Sequence, residues 1–125
     1  MLRDRGFLFD GNDAMVIDGS LTLNPNFTIL TWVRIVSDLE TPGCVVGKLT
    51  VNGNPILNMC LTPIGPMPPT KSNPRTQIVV GDEQLILEDY SFEIDHEKWF
   101  IFTVVGEYGS GGTTIGMYIN NSLVN

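Results

Sequence analysis

The chain is poor in the residues that most often carry chemistry. Its 125 residues include two cysteines, Cys44 and Cys60, and one histidine, His96. Two cysteines are too few for the disulfide framework of a small secreted scaffold. With no Cys-x-x-Cys and no histidine pair, a zinc site is not expected. Positive charge is also scarce: 7 Lys and Arg stand against 14 Asp and Glu, a formal charge of −7. Such a chain repels phosphate, which excludes nucleic-acid binding by a general basic surface. The longest largely apolar stretch, Trp99 to Val105, falls far short of the roughly 20 residues of a membrane-spanning helix, so membrane insertion is not expected. Met1-Leu2-Arg3-Asp4-Arg5 is not followed by the apolar core of a signal peptide. The expectation is a cytosolic protein or a piece of a longer chain.

What is present is ordinary globular material, 42% hydrophobic and 17% charged, of a length that suits one domain. Gly, Pro, Asn and Asp recur at short intervals, with β-branched and aromatic residues between them. Strands are expected near 6–10, 14–17, 20–23, 27–36, 44–50, 56–62, 76–80, 84–88, 90–94, 98–105 and 113–119. No apolar stripe of helical period and length occurs. Many short strands with regular turn signals imply an antiparallel sandwich or barrel.

Two of these strands are apolar on both faces. In 29–35, Ile29, Val33 and Ile35 oppose Leu30 and Trp32; in 99–105, Trp99, Ile101 and Val105 oppose Phe100, Phe102 and Val104. A strand of an isolated sandwich shows one polar face. Both are therefore expected to be central, with Trp32 and Trp99 in the core and the second face covered by a loop, a domain or another chain. Residues 63–75, which hold five of the eight prolines, are expected to be a surface connection; the alternative is a lid packing Ile64 and Met67 on a sheet.

Cys44 and Cys60 flank one expected hairpin turning at residues 51–54. A two-residue Asn52-Gly53 turn sets Cys44 opposite Leu61, whereas a three-residue Val51-Asn52-Gly53 loop sets it opposite Cys60. The pair is then either a disulfide or two buried thiols.

The motifs fall in a familiar order. Gly6-Phe7-Leu8-Phe9-Asp10-Gly11-Asn12-Asp13-Ala14-Met15-Val16-Ile17, Phe27-Thr28-Ile29-Leu30-Thr31-Trp32-Val33, Val45-Val46-Gly47-Lys48, Lys98-Trp99-Phe100-Ile101-Phe102-Thr103-Val104 and Met117-Tyr118-Ile119-Asn120-Asn121-Ser122-Leu123-Val124 resemble, in sequence order, the strand motifs of laminin-G-like, concanavalin A-like domains. The resemblance implies an all-β, antiparallel two-sheet jelly-roll sandwich over residues 1–125. It also implies a closing strand beyond Asn125, which makes the chain a fragment or one completed from elsewhere. The function it implies is a non-catalytic recognition or adhesion module at an extracellular or cell-surface site, binding a glycan or a protein through rim loops. An alternative is a structural subunit docked in an assembly, through the apolar sheet face or the open edge.

A third possibility rests on Glu93-Ile94-Asp95-His96-Glu97, which resembles the Glu-Ile-Asp-x-Glu signature of retaining β-glucanases. Residues two apart on a strand share a face, and a retaining hydrolase needs two carboxyl groups about 5–5.5 Å apart. By the resemblance, Glu93 is the nucleophile, Asp95 the modulator and Glu97 the acid/base. His96 stands where those enzymes carry an apolar residue, and the five residues lead into the Trp99 strand, which suits a polar turn. No catalysis is expected.

The oxygens of Asp10, Asn12 and Asp13 cluster at a strand end. They supply part of a calcium site, which takes six to eight oxygens, or they form a tight turn with Gly11 at positive φ. Between Arg75 and Lys98 there is no Lys or Arg, yet Asp82, Glu83, Glu88, Asp89, Glu93, Asp95 and Glu97 fall there. That run is read as a solvated acidic edge, with a cation site or a surface for a basic partner as the alternative. Asn26-Phe27-Thr28 and Asn120-Asn121-Ser122 match the glycosylation sequon.

Overall fold

The computed structural model describes residues 2–3, 6–7, 9, 14–15, 26–36, 41–49, 55–80 and 83–125. The described chain is all-β, with two antiparallel sheets. The strands are β1 (Leu2–Arg3), β2 (Gly6–Phe7), β3 (Phe27–Arg34), β4 (Gly43–Leu49), β5 (Pro55–Ile64), β6 (Lys71–Val80), β7 (Glu83–Glu88), β8 (Ile94–Asp95), β9 (Trp99–Gly109), β10 (Gly112–Ile119) and β11 (Ser122–Leu123). One sheet runs β11-β10-β9-β3, and the other is a meander β4-β5-β6-β7 in which β8 also pairs with β6. β1 and β2 form a short separate pair.

Alternation along the strands builds one core between the two sheets. Leu57, Met59, Leu61 and Ile78 come from the meander; Phe100, Phe102, Val104, Met117 and Ile119 come from the other sheet. The Thr76 hydroxyl donates to Met117 Sδ across the gap at 3.3 Å. The β9–β10 hairpin closes at Gly109↔Gly112 around Ser110-Gly111, and Gly112 takes φ 109°, a conformation only glycine adopts easily. The β10–β11 hairpin turns on Asn120 and Asn121, at φ 50° and 67°. Positive φ at both central residues is the geometry of a type I′ two-residue hairpin, and Asn tolerates it well.

Several sequence expectations need correction. β3 is an edge strand among the described residues, paired only with β9. The proline-rich stretch is mostly strand: β5 runs to Ile64 and β6 begins at Lys71, so Pro63 pairs with Ser72 and Pro74 with Leu61. Pro74 falls where β6 changes partner, between Arg75↔Glu88 of β7 and Ser72↔Ile94 of β8. A missing N–H costs least where the ladder is already interrupted. The lid is absent: Met67 is exposed in the short 65–70 connection. The expected strand 90–94 is largely a turn, because Asp89 Oδ1 accepts the Ser91 N–H at 2.8 Å, an Asx turn that takes the donor a ladder would use. Ala14 and Met15 are not in a strand. The expected strand 20–23 and the turn at 51–54 lie outside the described residues.

Cys44 lies directly opposite Cys60 on β5, and the two are joined as a disulfide. Two register shifts flank the pair's strand, between Cys44 and Val46 and between Lys48 and Leu49. The second shift undoes the first, so Leu49↔Pro55 and Cys44↔Cys60 share one register, the one that the three-residue Val51-Asn52-Gly53 alternative implies.

Candidate functional site

The outer face of the β3–β9–β10–β11 sheet is apolar. The registers Leu30↔Thr103, Trp32↔Ile101 and Arg34↔Trp99, with Tyr118↔Thr103 and Tyr118↔Leu123, place these side chains on one face. Trp32 is 61% and Trp99 48% exposed, and Leu30 and Leu123 are exposed beside them. The expectation that both tryptophans belong to the core is therefore wrong. Ile29, Val33, Phe100, Phe102 and Val104 occupy the core side of the same strands, and strict alternation sends Trp32 and Trp99 the other way. Gly116 has no side chain, and a Cβ there would meet the Tyr118 ring at 2.9 Å; the ring lies flat along the strand. Thr103, at the centre of this face, is 8% exposed, and its hydroxyl is buried without a partner.

The carboxylates of the glucanase-like motif alternate outward, with Ile94 and His96 buried between them. Each meets a cation. Lys71 Nζ lies 2.7 Å from Glu93 Oε2 and 4.0 Å from Asp95 Oδ1, Lys98 Nζ 3.3 Å from Asp95 Oδ2, and Arg34 Nη2 3.1 Å from Glu97 Oε2. The Glu93 hydrogen bond and charge hold the Lys71 ammonium above its usual pKa. Each carboxylate of the motif is thus engaged in an ion pair on the surface. Glu97 sits at φ 67° and its N–H bonds Ile35 O at 2.7 Å, in the turn that leads into β9. Two further acids of the run are engaged within the chain: Arg75 Nε lies 3.3 Å from Glu88 Oε2, and Asp89 is held below the usual carboxyl range by its Ser91 hydrogen bonds.

One pair escaped the sequence reading. Ser72 Oγ and His96 Nε2 are 2.8 Å apart, although 24 residues separate them. Ser72 is fully buried, His96 is 7% exposed, and His96 Nδ1 has no partner. Without access or a carboxylate on Nδ1, the pair lacks the third member of a nucleophilic triad. It ties β6 to the segment before β9.

On the outer face of the meander lies a shallow cleft of about 310 Å³, lined by Pro42, Thr62, Asn73, Pro74, Arg75, Glu88 and Tyr90. Thr62↔Asn73 and Arg75↔Glu88 are facing pairs, and Cys60↔Arg75 sets the disulfide beside them. The buried Asn73 amide donates to Tyr90 O at 3.3 Å and Phe92 O at 2.7 Å, fixing the turn that carries Tyr90. The neighbouring Glu88 carboxylate raises the Tyr90 phenol above its ordinary pKa, so the hydroxyl keeps its proton.

Among the described residues no group of three or more His, Cys, Asp or Glu could hold a metal ion. Asp10, Asn12 and Asp13 lie outside the described residues. Comparison with protein-family models, with curated proteins and with solved structures finds no match for this chain.

Proposed function

We propose that this chain is a non-catalytic recognition module that docks on a protein partner through the outer face of the β3–β9–β10–β11 sheet. The observation that carries this is the joint exposure of Leu30, Trp32, Trp99 and Leu123 on one face. Contiguous exposed apolar patches of this kind mark interaction surfaces, and Trp, Tyr and Arg are the side chains that dominate the energy of protein interfaces. Arg34, bridged to Glu97, supplies a polar rim. The ordered motifs support a laminin-G-like jelly roll at a cell surface, and the Cys44–Cys60 disulfide fits an oxidising compartment. Contact through a sheet face replaces the rim loops of the sequence expectation. The absence of catalysis is part of the proposal, and the cation held against each carboxylate of the glucanase-like motif supports it.

Oxidative footprinting tests the proposal. The purified domain is compared with the same protein in the native extract of its source. Docking predicts that Trp32 and Trp99 are oxidised readily in isolation and are protected in the extract, and that Leu30→Ser/Trp32→Ser removes the protection without altering the circular dichroism. Equal oxidation in both samples overturns it. Cleavage of a β-1,3- or β-1,4-glucan that Glu93→Gln abolishes overturns the non-catalytic part.

A further inference from the structure

We propose that Asn26 and Asn120 are attachment sites for N-linked oligosaccharides. Each opens a sequon, Asn26-Phe27-Thr28 and Asn120-Asn121-Ser122, and the structure holds the two side chains in the same way. The sites share with the proposed function only its oxidising compartment and do not depend on docking.

The likeness lies in which end of the amide is occupied. β3 pairs with β9 as far as Phe27↔Gly106, and β10 pairs with β9 as far as Ile119↔Phe102. Tyr108 and Ile101 lie just past those two ends. Their N–H groups are met by side chains: the Tyr108 N–H donates to Asn26 Oδ1 at 2.8 Å, and the Ile101 N–H donates to Asn120 Oδ1 at 2.9 Å. The Asn120 N–H in turn donates to Ile101 O at 3.0 Å, so the amide oxygen takes the place of the carbonyl that the turn carries away. Only the oxygen of an amide can accept from a backbone N–H, which fixes the orientation of both side chains. Each Nδ2 is left over, and neither donates to another described residue. Asn73, which opens no sequon, does the reverse: its Nδ2 is the engaged end, donating to Tyr90 O and Phe92 O.

The free end is the one that attachment uses. In transfer from a polyisoprenyl pyrophosphate-linked oligosaccharide, Nδ2 forms a bond to the anomeric carbon. The bond from that carbon to the pyrophosphate oxygen breaks, and the lipid pyrophosphate leaves with its electron pair. One Nδ2 proton passes to a base of the transferring enzyme, and nothing is oxidised or reduced. The product keeps Oδ1 and one Nδ2 hydrogen, so both bonds to β9 survive the modification. Space is available at both places, because Asn26, Thr28, Asn120, Asn121 and Ser122 are all exposed. Thr28 alternates outward between Phe27 and Ile29, which pack on the core. Asn120 stands on the two-residue turn at φ 50°. The Cys44–Cys60 disulfide fits the secretory, oxidising compartment in which such transfer takes place.

Peptide mapping by mass spectrometry tests the proposal on the protein purified from its source. The peptides that hold Asn26 and Asn120 are each expected to carry an oligosaccharide. Removing it with a peptide-N-glycosidase in heavy-oxygen water is expected to leave labelled Asp at both positions. In variants expressed in the same cells, Asn26→Gln or Thr28→Ala is expected to strip the first peptide, and Asn120→Gln or Ser122→Ala the second. Thr28→Ser and Ser122→Thr are expected to keep both sugars. The hydroxyl variants leave each asparagine and its bond to β9 in place, so they separate attachment from the structural role of the amide. In the glycosylated protein the Ile101 and Tyr108 amides are expected to exchange as slowly as in unglycosylated protein made in bacteria. Peptides without sugar at both positions overturn the inference, and one bare peptide overturns that site. Sugar that stays on a peptide after its Asn→Gln substitution is attached elsewhere and overturns that site too. Faster exchange at Ile101 or Tyr108 in the glycosylated protein overturns the argument from the free end of the amide. None of these outcomes moves the Trp32 and Trp99 footprint that tests docking.

Discussion

Replacing Phe102 and Trp32 by alanine, one at a time, separates the two faces of the β3–β9–β10–β11 sheet. Phe102 is fully buried on β9, between β3 and β10. An aromatic of its size removes about 200 Å² from water, which at about 25 cal/mol per Å² gives about 5 kcal/mol. Measured Phe→Ala losses in cores are about 3–5 kcal/mol. Trp32 is 61% exposed, so well under half of its larger surface is covered, about 100 Å², or about 2.5 kcal/mol at most. Partial burial in the unfolded chain lowers that to about 2 kcal/mol or less. Against a total stability of about 5–15 kcal/mol, Phe102→Ala threatens the fold and Trp32→Ala does not. Urea denaturation followed by far-ultraviolet circular dichroism measures both, because removing an indole leaves that signal interpretable; the slope is expected to stay constant. A Trp32→Ala loss equal to that of Phe102→Ala would refute the reasoning, since the indole would then be packed in the isolated chain. A Phe102→Ala loss below about 1 kcal/mol would equally refute the placement of the core.

Three further outcomes follow from individual contacts. Breaking the Cys44–Cys60 link, which closes a separation of 16 residues, by the double substitution to alanine is expected to cost about 3 kcal/mol in the same denaturation experiment; no loss would show that the pair does not restrain the unfolded chain. Thr103→Val removes a buried hydroxyl that has no partner and keeps the side-chain shape, so stability is expected to stay level or rise by about 1 kcal/mol, and a clear loss would reveal a hidden acceptor. Asp89 is held below its ordinary value of 3.8 by its Ser91 hydrogen bonds. Its contribution to the 89–92 turn is therefore complete above that pH and lost only as the pH falls through the lower folded value. Ser91→Ala is expected to move the Asp89 titration, read by carboxyl carbon shifts, back up toward 3.8; an unmoved midpoint would mean that Ser91 is not the cause.

The strands and their alternation were legible in the residues themselves. Phe27 to Val33 and Phe100 to Val104 declare extended chain by β-branched and aromatic content, and a period of two assigns their side chains to two faces without any knowledge of neighbours. The turns that flank β10 carry Gly112, Asn120 and Asn121, residue types that accept positive φ. Which face becomes the core is not a local property. Leu30, Trp32 and Trp99 are as apolar as Ile29 and Phe100, and only the placement of the meander against one side of the sheet separates buried from exposed. Pro74 misled for the same reason: its effect depends on whether β6 has a partner at that point, and the change from β7 to β8 is a tertiary fact. Cys44 opposite Cys60 is one of the two registers that residue counting allows, and it holds because the two register shifts in β4 cancel. Ser72 with His96, and the cleft that joins Pro42, Arg75, Glu88 and Tyr90, bring together residues far apart in sequence. The sequence by itself determined strands, turns and a −7 charge, because these rest on local sterics and composition. The tertiary structure decided which apolar side meets solvent, which cations pair with Glu88, Glu93, Asp95 and Glu97 and where the polar groups converge, because each depends on distances between segments that no local pattern encodes.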